Sequence, residues 1–336
     1  MLWTALGNGN KKLEVNFEYK QKILYKISIK NIYSYMTQSK PDLKLVFSLL
    51  IVGIVWGTTY LGIRVAVETI PPWWITSIRQ GFAALIVLCI LLYKKQLAWI
   101  GWKNLKFQII PSLLMIVLAN GFTTIAEQTL PSGLTSIMSA LSPVIIFIGG
   151  ILFGIEKPTF KGLIGVMLGF LGVVFIFRNG LSAILDPNYK TGLLFLSIAI
   201  LSWSVGVIYS KKHTHKSNNI ALNLFYQFSI SSIIQFVLAI LFSSNTDIHQ
   251  WSSRSVFALL YLAVFGSVLA FFCYYYALKR VSALQVSILN YVNTIIAVFL
   301  GWLLLNETIT IDFIIATALI IFGVFIINYK KTTSKM

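Results

Sequence analysis

The sequence predicts an all-α integral membrane protein in which ten transmembrane helices form two inverted five-helix repeats. Three observations lead to this fold class: the apolar composition of the chain, the alternation of positive charge between successive loops, and an internal repeat.

The chain is too apolar to cover a surface that faces water. Of its 336 residues, 57% are hydrophobic and 11% are charged, whereas soluble domains carry about 25% charged residues. We therefore expect lipid to be its solvent. A bilayer crossing takes roughly 20 apolar residues. Ten such spans are predicted, at 45–67, 74–93, 108–127, 132–153, 160–177, 191–210, 219–242, 255–278, 283–305 and 311–329.

Positive charge alternates between the two sides of the membrane when ten spans are counted. With the N-terminus inside, 22 of the 27 Lys and Arg residues fall in tails and loops of that side. Cytoplasmic loops carry this excess. We therefore expect a multi-pass protein of the inner (plasma) membrane with both termini in the cytoplasm. The net charge of +17 is assigned to this orientation, and no nucleic-acid partner is expected.

Residues 45–177 and 191–329 are predicted to be two copies of one five-span unit. The matching positions are Ala126 and Ala277, Glu156 and Glu307, and Gly172 and Gly323 at offset 151, with Trp56 and Trp203, and Arg64 and Lys211, at offset 147. Because five is an odd number, the second copy must be inverted, and the loop charges change sign accordingly. Inverted repeats are typical of transporters with a site near the midplane.

The two ends of the chain lie outside these repeats. Residues 1–44 are expected to form an N-terminal cytoplasmic tail, and residues 330–336 a C-terminal one. We hypothesise that Met36 is the true start and that residues 1–35 are a mis-called extension. The alternative is a disordered or surface-lying tail.

Several motifs resemble those of the EamA-type permeases of the drug/metabolite transporter superfamily. They are Gly53-Ile-Val-Trp56-Gly57-Thr58-Thr59-Tyr60, Pro71-Pro72 followed by Arg79, Pro131-Ser-Gly133-Leu-Thr-Ser136-Ile-Met-Ser139-Ala140-Leu-Ser-Pro143 with Glu156, and the later echo in Tyr276-Ala277-Leu278 and Glu307-Thr308. The resemblance covers about residues 43–329. It implies ten spans, a central cavity, and export or exchange of amino acids, metabolites or drugs without ATP.

Polar side chains at membrane depth are costly, so they are candidates for function. Two repeat-related spans each carry a polar stripe at helical spacing, formed by Ser136, Ser139 and Ser142 on the fourth span and by Ser287, Asn290 and Asn293 on the ninth. We expect these stripes to line the cavity and to bind substrate. The alternative is that they join helix to helix.

Aromatic and charged residues complete the predicted substrate site. Trp56, Tyr60 and Trp203 would gate or stack the substrate, or else anchor the helices at the membrane interface. Arg79 would attract an anionic group or pair with Glu68, unless it reaches out to lipid headgroups.

Asn120 and Glu127 share a face of the third span, seven residues apart. Asn120 is assigned to the substrate site. Glu127 is the candidate for binding and releasing a coupling proton, and simple solvation at the outer end of the span is the alternative.

Two further patterns predict packing. Gly162, Gly165, Gly169 and Gly172 line the fifth span and are expected to let a neighbouring helix approach closely. Trp73 and Trp74, beside Pro71-Pro72, are interpreted as interface anchors.

The sequence offers no arrangement typical of an enzyme. It has no cluster of carboxylates, histidines or nucleophile with base, and no metal-ligand spacing. We therefore expect no catalytic residues, no metal and no cofactor. The expected partners are a small-molecule substrate and the lipid bilayer, with a homodimer left open. A flippase for a lipid carrier or lipid-linked substrate is the alternative function.

Overall fold

The computed structural model describes residues 42–130, 132–176, 178, 186–213, 219–243, 247–305 and 311–328. The hypothesis about Met36, most of both tails, and Glu307 lie outside these residues. The chain divides into two units, residues 1–46 and 47–336. Of the first unit, only residues 42–46, at the beginning of α1, are described. The architecture below is that of the second unit.

Within the described residues every regular element is helical. The helices are α1 (Leu43–Ala66), α2 (Pro72–Tyr93), α3 (Trp102–Ala126), α4 (Ser132–Ser139), α5 (Ser142–Leu152), α6 (Phe160–Ile176), α7 (Lys190–His213), α8 (Ile220–Phe242), α9 (Ser253–Leu278), α10 (Ala283–Ser287), α11 (Leu289–Leu305) and α12 (Ile311–Asn328). Two short 3-10 turns, Pro187–Tyr189 and Ile248–Gln250, precede α7 and α9.

Six helices of the described chain are long and apolar enough to cross a membrane, namely α1, α2, α3, α7 (with the turn before it), α8 and α9. Four shorter apolar helical stretches are α5, α6, residues Ala283–Ile296 across α10 and the start of α11, and residues Phe313–Asn328 of α12. The protein is therefore a multi-pass membrane protein, whereas the count of ten spans stays a prediction.

The molecule is apolar outside and polar inside. Leu85, Ile233 and Phe322 are more than half exposed, whereas Gln80 and Gln235 are completely buried. A soluble protein of this size rarely exposes large contiguous apolar surface. This distribution is the one that a lipid solvent selects.

The glycines of α6 bring it against α12, as the sequence predicts. An added Cβ at Gly172 would lie 2.7 Å from Cγ1 of Ile320 and 2.9 Å from the carbonyl oxygen of Ala316. At Gly165 it would lie 2.7 Å from the carbonyl oxygen of Gly323. The predicted close approach of two helices is confirmed.

Two other helix pairs are in close contact. Between α2 and α8, the Ser77 hydroxyl donates to the Ser232 carbonyl at 3.2 Å, and the Ser232 hydroxyl donates back to the Ser77 carbonyl at 3.0 Å. The pair α3 and α7 runs antiparallel, because Gly192 packs on Thr129 at one end, whereas Phe107 stacks on His213 at the other.

Helices near the middle of the fold are irregular at related positions. α4 ends at Ser139 and α5 begins at Ser142, where Pro143 lies in the first turn. The second interruption, between α10 and α11, falls at Ile288. In addition, α3 and α9 each contain a π-helical segment, Ser112–Asn120 and Leu262–Leu269. Discontinuous helices and π segments are frequent at binding sites.

The interpretation of Trp73 as an interface anchor is wrong. Its side chain is only 8% exposed, and its ring packs against Phe122 and the backbone of Gly121. Because Gly121 has no side chain, the indole fits against α3. Trp73 therefore joins α2 to α3 inside the bundle.

Candidate functional site

A cavity of about 100 Å³ lies among α1, α2, α3, α7, α9 and the two interrupted helices. From the first predicted repeat it is lined by Trp56, Thr59, Tyr60, Ile63, Arg79, Ala119, Asn120, Thr123, Ser139 and Ser142. From the second it is lined by Ala199, Ile200, Trp203, Phe271, Asn290 and Asn293. Both halves therefore contribute to one cavity.

The structure places eight of the ten predicted substrate-binding residues at this cavity. They are Trp56, Tyr60, Arg79, Asn120, Ser139, Trp203, Asn290 and Asn293. Ser287 lies elsewhere: it is buried, and its hydroxyl donates to the Leu284 carbonyl at 2.8 Å. The side chain of Ser136 lies outside the described residues.

Aromatic rings form one wall of the cavity. The ring of Trp56 meets that of Trp203 edge-on, with centroids 5.3 Å apart, and lies 5.7 Å from that of Phe271 and 5.0 Å from that of Tyr274. The indole nitrogen of Trp56 donates to the Gly266 carbonyl at 3.3 Å. Because this bond and the ring contacts hold Trp56 in place, the wall is a preformed apolar surface.

Arg79 brings a positive charge into the cavity. Its side chain is 2% exposed, and its Nε donates to the Ser267 hydroxyl at 2.8 Å. An added Cβ at Gly266 would lie 3.1 Å from its terminal Nη2, so the missing side chain leaves room for the guanidinium. Arg79 forms no ion pair with a carboxylate of the described residues. It therefore neither pairs with Glu68 nor reaches outward to headgroups.

The polar stripes meet where the helices are interrupted. The amide nitrogen of Asn290 donates to the Ser142 hydroxyl at 2.5 Å, which itself donates to the Ser139 carbonyl at 2.7 Å. The Tyr60 hydroxyl interacts with the Ser139 hydroxyl. Part of this stripe therefore joins helix to helix, while its residues also face the cavity.

Glu127 lies close to the cavity but is not part of its lining. The residue is completely buried, and neither carboxylate oxygen has a hydrogen bond of good geometry to a described residue. Arg64, Thr135 and Tyr60 are the polar groups that interact with it. Its complete burial argues against simple solvation.

Several lining residues were missed by sequence reasoning. Thr59 and Thr123 are ordinary helix residues, and nothing in their spacing sets them apart. Phe271, however, is the repeat partner of Asn120 at the offset of 151. Extending each candidate to its repeat partner would have found Phe271.

The geometry suits the reversible binding of a small molecule. The lining offers a guanidinium, amides and hydroxyls beside an aromatic wall, which is the usual composition of a small-molecule site. No cluster of three or more metal-ligating side chains occurs in the described part of the chain.

Comparison with known proteins assigns the family. The model of the EamA-like transporter family matches residues 43–178 and 190–329. The chain is 26% identical over 293 residues to the "Uncharacterized transporter YoaV" of Bacillus subtilis (strain 168), an alignment that covers 87% of this chain and 99% of that one. It is 28% identical over 280 residues to the "Uncharacterized inner membrane transporter YedA" of Escherichia coli (strain K12), with coverages of 83% and 88%.

A third relative and a solved structure extend these matches. An "Uncharacterized transporter" of Buchnera aphidicola subsp. Schizaphis graminum (strain Sg) is 30% identical over 261 residues, which cover 77% of this chain and 85% of that one. A crystal structure that shares the fold has a TM-score of 0.69 at 16% identity, and the match covers 84% of this chain and 96% of that one. This chain, a multi-pass membrane protein, belongs to the EamA-like transporter family.

Proposed function

We propose that this chain exports small metabolites such as amino acids across the inner membrane by alternating access, as a secondary transporter that uses no ATP. Its ten spans form two inverted halves, 45–177 and 191–329, and both termini lie in the cytoplasm. Membership of a transporter family supports the function class.

The observation that carries this proposal is the composition of the cavity. Residues at repeat-related positions meet in it, namely Trp56 with Trp203, Asn120 with Phe271, Ser139 with Asn290, and Ser142 with Asn293. A site between two inverted halves is the arrangement that lets either half rock about a fixed substrate.

The course of the helices supports the inversion. Arg64, near the end of α1, donates to the carbonyls of Glu127 and Gln128 at the end of α3. That end of α3 lies beside Gly192 at the start of α7, because Gly192 packs on Thr129. The first helices of the two halves, α1 and α7, therefore run in opposite directions.

The size of the cavity favours a small metabolite over a lipid-linked substrate. A cavity of about 150 Å³ is enough to hold a benzene molecule, so a cavity of about 100 Å³ is on the scale of a small side chain. A lipid carrier would instead need an opening between helices toward the bilayer.

Flux through the purified chain in liposomes tests the proposal. A labelled panel of amino acids and nucleobases is measured with and without a pH gradient, and we expect saturable flux of one compound class. Asn290→Ala removes a cavity amide and should raise the KM about tenfold. Asn328→Ala, an exposed position away from the cavity, should leave it unchanged. No flux of any compound would overturn the proposal and favour a lipid-linked substrate.

A further inference from the structure

We infer that the transported metabolite carries a carboxylate, which Arg79 binds in the cavity while an apolar part of the molecule packs against Trp56 and Trp203. This inference rests on the proposed function and specifies its substrate class.

The charge distribution of the cavity favours an anion. The Arg79 guanidinium is buried, and the lining contains neither Asp nor Glu. A buried charge without a counter-ion is costly in a membrane protein and usually faces a cavity or a partner. An anionic substrate would offset this cost, whereas a cationic substrate would increase it.

Arg79 and Asn120 both offer hydrogen-bond donors in the cavity. The Ser267 hydroxyl accepts a hydrogen bond from Nε of Arg79 and thereby orients the guanidinium, while the terminal nitrogens remain beside Gly266 and the cavity. Asn120 also lines the cavity, and its buried amide nitrogen has no hydrogen-bond partner among the described residues. Arg and amide donors together suit a carboxylate, which accepts hydrogen bonds only.

The aromatic wall offers an apolar surface to the rest of the substrate. Trp56, Trp203 and Phe271 present an apolar surface in the same cavity as Arg79. A ligand that places its charge at the guanidinium therefore has apolar surface beside the remainder of the molecule. The chemistry is that of a small organic acid with an apolar side chain, and an apolar amino acid is of this class.

Pairs of acid and amide test this inference in proteoliposomes of the full chain. The labelled probes are L-alanine and its amide, L-valine and its amide, and propionate and its amide. We expect at least one acid to be carried, and its amide to have a KM at least about tenfold higher. Arg79→Gln should remove this preference, and Arg79→Lys, which retains the charge, should keep part of it. Arg254→Gln, an exposed arginine at the start of α9, is the matched control.

The outcomes separate this inference from the proposed function. Flux of amides or nucleobases without any acid, or an acid preference that survives in Arg79→Gln, would overturn the carboxylate assignment and leave the transporter standing. No flux of any compound would overturn the proposed function, and this assignment with it. Folding of each variant is checked by its thermal unfolding, so that loss of flux is not mistaken for loss of the anion site.

A second inference comes from a different set of contacts. We propose that two repeat-related cations, Arg64 and Lys211, hold opposite ends of the transport pathway closed and are released in alternation. Arg64 and Lys211 correspond at offset 147, and each binds the last carbonyls of a helix in its own half.

The two contacts are equivalent in chemistry. Arg64 donates to the Glu127 carbonyl at 2.5 Å and to the Gln128 carbonyl at 3.1 Å, at the end of α3. Lys211 donates to the Leu278 carbonyl at 2.7 Å and to the Val281 carbonyl at 2.6 Å, at the end of α9. Leu278 is the repeat partner of Glu127 at offset 151. The last carbonyls of a helix lack intrahelical partners and attract cations.

The two contacts lie at opposite ends of the bundle. The end of α3 lies beside Gly192, whereas Lys211 is 19 residues further along α7. At 1.5 Å per residue this separation is about 28 Å, close to the thickness of the hydrocarbon core. The cavity residues Ala199 and Trp203 occur between these two points on α7. The cations therefore flank the cavity, one on each side.

A buried polar network joins α3, α8 and α9 at the Lys211 end. Gln227 donates to Gln108 at 2.9 Å, and the Tyr275 hydroxyl donates to Gln227 at 3.0 Å. Gln108, Gln227 and Tyr275 are all buried, and they line a second, small cavity of about 30 Å³ at this end. The groups that join the helices here are therefore ones that water can solvate once this end opens. Such groups lower the cost of an open state.

Hydrogen exchange measured by mass spectrometry tests the alternation in the purified full chain. Removing one contact should favour the state that is open on that side, and thereby close the other side. Arg64→Ala should therefore speed amide exchange several-fold near 126–130 and slow it near 278–281. Lys211→Ala should do the reverse. Lys212→Ala, the exposed neighbouring lysine, is the matched control.

The reciprocal response separates a gate from an ordinary helix cap. If each cation only capped its helix, its removal would speed exchange locally and leave the opposite end unchanged. That result, or equal effects of Lys211→Ala and Lys212→Ala, would overturn the proposal.

Discussion

At the residue scale, Glu127 is a completely buried carboxyl group close to the cavity. Arg64 and Thr135 interact with this carboxyl group, and Tyr60 interacts both with it and with Ser139 of the cavity lining. Buried carboxylates within a membrane are expensive and are retained where they serve transport. Glu127 therefore remains our candidate for coupling flux to protons.

Replacing this carboxylate by its amide tests the coupling. Glu127→Gln keeps the shape of the side chain but cannot bind and release a proton. We expect pH-gradient-driven flux in proteoliposomes to fall at least about tenfold, whereas counterflow exchange without a gradient persists. Glu68→Gln, at an exposed carboxylate, should alter neither. Retained gradient-driven flux in Glu127→Gln would exclude this residue as the coupling group.

At the element scale, small residues decide which helices come together. α6 approaches α12 because glycines face it, and Trp73 of α2 packs against α3 because Gly121 has no side chain. Between α4 and α5 the regular backbone hydrogen bonds are interrupted. Pro143 has no N–H to donate, and the hydroxyl of Ser142 donates to the Ser139 carbonyl instead. Packing and interruption together set the shape of the cavity.

A side chain at the glycine contact between α6 and α12 should destabilise the packing of these two helices. Gly172→Val places a branched side chain against Ile320 and the Ala316 carbonyl, where an added Cβ already lies within 3 Å of both. Overpacking of this kind costs about 1–3 kcal/mol. The measurement is the free energy of unfolding in detergent micelles. Leu171→Val, on the exposed face of α6, should cost less than about 0.5 kcal/mol, and equal losses in the two variants would contradict the packing argument.

At the scale of the whole molecule, charge and apolar surface together orient the bundle. The outer faces of the helices are apolar, and the interior holds Gln80, Gln108 and Gln235. In the proposed ten-span topology the Lys and Arg residues concentrate in alternate loops. Lipid stabilises the first distribution, and the positive-inside rule relates the second to the cytoplasmic side.

Reporter fusions test the resulting topology. A fluorescent protein at the C-terminus should be active, because the proposed topology places that end in the cytoplasm. A phosphatase that functions only outside the cytoplasm should be active when fused after Asp186 and inactive when fused after Lys157. Activity after both positions, or after Lys157 alone, would contradict the ten-span orientation.

The sequence by itself determined that the chain is a helical membrane protein, and it named most of the residues that line the candidate site. Composition alone required a membrane solvent, and the internal repeat directed attention to Trp56, Trp203, Asn290 and the stripe at Ser139, which do line one cavity. These signals are local or periodic, so they survive without knowledge of which helices touch. The repeat also pairs Arg64 with Lys211, although it assigns them no contact.

Only the tertiary structure decided how the helices meet. Spacing along one helix cannot show that Trp73 is buried, that Ser287 turns away from the cavity, or that Arg79 lacks a carboxylate partner among the described residues. Each of these depends on contacts between residues far apart in the chain. The burial of a side chain and the presence of a counter-ion depend on its neighbours in space, which also set its dielectric environment.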